Sequence, residues 1–258
     1  MKMPPSRAAR RAAMPKGPPR DRASLRAGLA AARLPGSAPE VTDRARAALL
    51  AWIDADARPF PDLVAALTTG AVARAIAATA LRAQAAPHGT ACAKGCAWCC
   101  VHPGETGAAI TEAEARALHA ALAPLAGQPD GRAWLPDACP ALDPATRTCR
   151  AYEARPIVCR AYLSTSAQAC EAVARGTPAH GPGVLTAHTL MLAIHGLARA
   201  ALAGTARVPT YALARVAAAA CDGQDPDAAL AAARQPPAEL DAERRRGRQG
   251  WARAARSR

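Results

Sequence analysis

Residues 92–100 read CAKGCAWCC, four cysteines in nine residues with the last two adjacent. Eight of the chain's nine cysteines lie between positions 92 and 170: Cys92, Cys96, Cys99, Cys100, Cys139, Cys149, Cys159 and Cys170. Only Cys221 stands outside. A chain this rich in alanine does not need clustered thiols for packing, although a free cysteine can serve as a small hydrophobe. Neighbouring cysteines such as Cys99 and Cys100 do not offer relaxed disulfide geometry. Thiolates are soft ligands that suit zinc, copper(I) and iron–sulfur clusters. The stretch therefore reads as a metal-binding loop set into a larger fold.

That larger fold is expected to be mainly α-helical. Aromatic residues make up only 3% of the 258-residue chain, and alanine and arginine abound. Helices favour this composition, whereas strands favour β-branched and aromatic side chains. The net charge of +13 is concentrated at the ends: +8 over residues 1–33 and +5 over 241–258. Residues 34–240 hold seventeen basic and seventeen acidic side chains. The ends read as disordered basic tails with few large apolar groups to bury, able to touch nucleic acid only non-specifically. Between them we expect a helical segment over 34–87, a cysteine-cluster domain over 88–175 and a second helical segment over 176–240.

The basic start is followed by no apolar secretory core. The most apolar run, residues 184–204, contains His188, His195 and Arg199, so it reads as a buried helix rather than a membrane span. A cytoplasmic protein with reduced thiols is expected, with no membrane association and with an unidentified protein as a possible partner.

Ser24 is placed to cap a helix ending near Arg33, and Thr42 or Asp43 to start another running to Arg58. Residues 61–86 read as one helix with Pro61 in its first turn and Pro87 closing it. Thr111 and Glu114 form a T-x-x-E capping box before a helix over 112–123. Residues 134–164 carry four prolines and predict loops with one small hairpin. Helices return at 184–203, 209–221 and 226–234.

Within the first block, Cys92, Cys96 and Cys99 bring three sulfurs round a tight loop. Gly95 permits the sharp turn, Lys94 offsets thiolate charge, and Trp98 screens one side from water. The fourth ligand comes from Cys100 or from the second block, CPALDPATRTCRAYEARPIVCRAY, which runs on to Cys170. Gaps of nine or ten residues there are too long for one knuckle, so the two blocks must fold together. Arg155 and Arg160 flank Cys159 and are expected to pair with Asp143 or Glu153. His88 and His102 are candidate substitutes for a cysteine ligand. His188 and His195 share a helix face and read as ordinary histidines before they read as a second metal site. Cys221 reads as a buried helical thiol.

The blocks C-x3-C-x2-C-C and C-P-x-L-D…C-x-x-Y-E-x-R-P-x-x-C-R, followed by Cys170, resemble the YkgJ-type cysteine-cluster family of zinc- or iron-chelating domains. The resemblance covers about residues 88–172. It implies that the eight clustered cysteines are the ligand pool. Ala151 stands where the family often has isoleucine, a departure that touches no ligand. Three functions follow as expectations: a protein holding an iron–sulfur cluster or iron; a scaffold held by structural zinc; or a methyl-transfer or redox enzyme, since flagellin lysine N-methylase carries a similar cysteine pattern. The spacing also matches radical-SAM enzymes, but the Val/Ile-rich strands of their barrel are missing. No Gly-rich nucleotide loop is found, and no catalytic residue is assigned.

Overall fold

The computed structural model describes residues 17–86, 88–102, 106–179, 182–184 and 186–256. Residues 1–16 of the basic start and Pro87 lie outside them. Among the described residues are eleven α-helices and two two-stranded antiparallel pairings, in keeping with the mainly helical expectation.

The helix α8 (Thr186–Ala201) is the axis of the molecule. Eleven of its sixteen residues are buried, so it has no broad polar face and must be enclosed. Around it pack α1 (Arg22–Ala31), α2 (Pro39–Ala55), α3 (Phe60–Thr68), α4 (Ala71–Arg82), the short α6 (Ile157–Ala161) and α11 (Pro237–Arg256). Leu25, Leu29, Leu49, Ile53, Leu63, Met191 and Ile194 form this core. A second core joins α5 (Glu112–Leu122), α9 (Leu213–Cys221) and α10 (Pro226–Ala233) through Leu118, Leu122, Val216 and Leu230. Strand β1 (Ala109–Ile110) pairs with β4 (Tyr211–Ala212), tying the start of α5 to the start of α9.

Several expected boundaries move. Residues 22–31 are not part of a disordered tail. Leu25 and Leu29, one turn apart, are fully buried, and the helix is capped by Asp21, whose carboxylate accepts from the Ser24 amide at 2.7 Å. Ser24 answers from the third helical position rather than acting as the cap. The helix α2 begins at Pro39, where a missing N–H costs nothing. Residues 61–86 are two helices, broken at Gly70 (φ 76°) and bent by 66°. A Cβ at Gly70 would strike Thr111, so the break lets α4 approach the start of α5. The C-terminal arginines continue a helix from Pro237, because Leu240 and Arg244 are buried on α8. Arg244 donates to Pro35 O at 3.2 Å and pairs with Asp241. Among the described residues no single helix is long and apolar enough to cross a membrane.

The two cores meet at Glu114. This carboxylate is wholly buried. Its Oε2 accepts from the Thr111 amide (3.0 Å) and hydroxyl (3.1 Å), completing the expected capping box. Its Oε1 accepts from the Ile157 amide at 2.7 Å, the first N–H of α6. One side chain therefore satisfies donors at two helix starts. Burial pushes its pKa up, against the pull of those hydrogen bonds. Removing it strands two buried amides. Glu114→Ala is expected to lower the unfolding free energy by about 3 kcal/mol, measured by urea titration, and an unchanged midpoint would contradict this role.

His188 and His195 are both buried on α8. Nε2 of His195 lies 2.9 Å from Pro209 O, and Nδ1 of each ring has no partner. Burial drives both pKa values down to about 4, with Glu243 opposing for His188 and the Pro209 bond opposing for His195. They behave as core histidines. The unfolded chain takes up these protons near pH 6.5, whereas the folded rings stay neutral to about 4. Stability is therefore full above pH 6.5 and falls as pH drops towards 4, by about 3 kcal/mol per ring. Urea midpoints at pH 7 and pH 4.5 should differ less for His188→Phe than for the parent chain.

Candidate metal centre

The loop 92–96 is closed by a turn. The Cys96 amide donates to Ala93 O at 3.0 Å, and Gly95 sits at the turn's third position with φ 81°. Only glycine adopts that conformation without strain. A Cβ on Gly95 would also press on Thr146 O at 3.3 Å, so this loop lies directly against the turn at 143–148.

Cys92 is held at the end of β2 (Tyr162–Ser164). The Ser164 amide lies 3.3 Å from Cys92 Sγ, and the Ala91 amide donates to Ser164 O at 2.7 Å. Strand β2 pairs with β3 (Pro182–Val184). It leads into α7 (Ala167–Ala174), which carries buried Cys170 and packs on the 3-10 turn Trp98–Cys100. Cys170 is within electrostatic reach of Cys99, Cys96 and Cys92. These four form a shallow group, in which Cys92 and Cys99 are exposed.

The other four lie deeper, against the second core. Cys139 is pinned beside Cys100 because its amide donates to Cys100 O at 2.7 Å, next to a bridge between Val101 and Ala138. A Cβ on Gly131 would collide with Cys139 O, so only glycine lets the chain pass there. Cys149 is placed by a one-bridge hairpin with Leu142, the small hairpin expected from sequence. Asp143 organises its turn by accepting from the Ala145 and Thr146 amides at 3.0 and 2.7 Å. Cys159 rides on α6, whose Ile157 and Ala161 face the first core while Val158 and Cys159 border the second. Cys159 feels Cys139, Cys149 and Cys99, and Cys100 feels Cys99, Cys139 and Cys159.

Electrostatics couples the groups at Cys99 and Cys100. The Cys100 thiol hydrogen-bonds to Cys99, and this lowers the Cys99 pKa to about 7, with help from Arg155. Burial pushes Cys139 to about 12 and raises Cys149 and Cys159. All nine cysteines are free thiols. Among the described residues no three Cys, His, Asp or Glu side chains stand in coordination geometry. Backbone pairing brings several of the thiols into one region. The donor set fits a soft, thiophilic metal.

Some expectations are corrected. Arg155 and Arg160 form no ion pair with Asp143 or Glu153. Asp143 is engaged in its own turn, and Arg155 lies over the Tyr152 ring at 3.8 Å. His88 is exposed and the His102 backbone amide donates to Asp137 O at 2.8 Å, neither of which bears on the imidazole rings as substitute ligands. Cys221 is buried, but not far away. Its Sγ lies 3.5 Å from Pro140 O, and Cys139 feels its charge. Its position in sequence, fifty-one residues past Cys170, hides that proximity.

Comparison with known proteins agrees with this centre. Residues 91–176 match a family described as "CxxCxxCC: Putative zinc- or iron-chelating domain". The family's label spells two residues between its first cysteines, whereas this chain has Ala93, Lys94 and Gly95 there. No curated protein and no solved structure matches the chain. The segment in which the fold gathers all eight clustered thiols, residues 91–176, is thus similar to the CxxCxxCC family of putative zinc- or iron-chelating domains.

Proposed function

We propose that the eight cysteines bind iron as iron–sulfur centres in two sets of four. Cys92, Cys96, Cys99 and Cys170 form a shallow set, and Cys100, Cys139, Cys149 and Cys159 form a deep one. The observation that supports this is burial: Cys92 and Cys99 are exposed, whereas Cys100, Cys139, Cys149 and Cys159 pack against the second core. Two centres joined through one peptide bond, one near solvent and one against an apolar core, suit electron transfer, which zinc does not perform. When bound, such a centre supplies one-electron storage. The chain's own residues supply thiolate ligands, an apolar wall and the nearby charge of Arg155.

Structural zinc is the second reading. Four thiols per set leave no open position, as in structural zinc sites, and the deep set staples three segments that have little regular structure of their own. Thiolate ligands of this kind require a reducing compartment such as the cytoplasm.

The test is metal and acid-labile sulfide analysis of protein purified without oxygen. Iron with sulfide and absorption near ~400 nm would support the first reading, and stoichiometric zinc in colourless protein the second. Cys96→Ser and Cys149→Ser should each remove about half the metal, one set apiece, while Cys221→Ser should retain all of it. Complete loss from either single variant would overturn the two-set arrangement.

A further inference from the structure

The chain contains four tryptophans, three tyrosines and one phenylalanine, yet three of these rings crowd the surface beside the shallow thiols. Trp98 and Trp134 lie 5.4 Å apart. The Arg175 guanidinium stands 5.4 Å from the Trp98 centroid, Arg147 stands 5.7 Å from Trp134, and Arg155 stands 3.8 Å from Tyr152. Tyr152 is 59% exposed. Arg147 and Arg155 have no carboxylate within ion-pair distance among the described residues, whereas Arg175 shares Glu171 at 3.0 Å. Nε of Arg155 is shielded from solvent and has no acceptor. Arg147 is also the one described non-glycine residue with positive φ, 55°. That conformation is unfavourable for an arginine, and it is held by the Asp143 turn where it sets the guanidinium over Trp134.

We infer that this arginine–aromatic rim is a docking surface for an acidic segment of a partner protein, laid across the exposed Cys92 and Cys99. A guanidinium lying on a ring loses side-chain freedom but keeps its N–H edge free for a carboxylate. Aromatic and arginine residues are also the side chains that anchor interfaces. Single-stranded nucleic acid fits less well. Its bases need open ring faces, and here guanidiniums and the neighbouring tryptophan already occupy faces of Trp98 and Trp134. Only the placement over ligand thiols rests on the chelating reading. The docking surface does not.

The test uses the full chain, a labelled polyglutamate peptide and low salt, read by fluorescence anisotropy. The combined substitution Arg147→Ala, Arg155→Ala and Arg175→Ala is expected to weaken binding at least about tenfold. A charge-matched control, Arg44→Ala, Arg82→Ala and Arg207→Ala, should stay within about twofold. Equal weakening in both, or none in either, overturns the proposal. So does an oligothymidine that competes with the peptide and is lost with the rim. Thermal unfolding checks that the variants fold. Metal content, measured in parallel, separates the two readings: rim-dependent binding by protein that takes up no metal would leave docking intact and remove the chelating function.

Discussion

The placement of Cys159 depends on a buried carboxylate being used twice. Glu114 closes the N-terminus of α5 and also receives the first amide of α6. A five-residue helix such as α6 cannot hold itself in water. It exists because its ends are satisfied and because Ile157 and Ala161 are buried in the first core. Cys159 stands on that helix, so this thiol is positioned by an interaction between residues forty-three apart in sequence.

Cys170 stands on α7 and Cys99 and Cys100 on the 3-10 turn, while other thiols are placed by backbone pairing. Short bridges set Cys139 against Cys100 and Cys149 against Leu142, and the amide of Ser164 meets Cys92. Each is a small contact, and together they bring five chain segments to one place. Such an arrangement is open enough to admit a metal and stands to gain folding energy from it. The helices around α8 have a core of their own. In the 3-10 turn at 98–100 successive side chains point about a third of a turn apart, which leaves Cys99 exposed and Cys100 packed against the second core.

Much of this was legible in the sequence. The helical class followed from composition, the α5 capping box from Thr111 and Glu114, the glycine turn from Gly95, and the family from the cysteine spacing. Each is local, carried by residues within a few positions of one another. Charge counts are blind to Leu25, Leu29 and Leu240, whose burial against α8 carries helices into the basic ends at residues 22–31 and from Pro237. The break at Gly70 was missed because a glycine within a helical pattern is usually tolerated. Its left-handed φ is dictated by Thr111 from another helix.

The sequence by itself determined which atoms are available: eight clustered thiols, few rings, and cations at the ends. Only the tertiary structure decided which thiols are neighbours, that Cys221 joins their surroundings, and that Arg147 and Arg155 lie on aromatic rings instead of pairing with Asp143 or Glu153. The reason is physical. Ligand identity is a property of single residues, whereas proximity is set by burying two apolar cores at once. That burial brings together segments that no spacing rule connects.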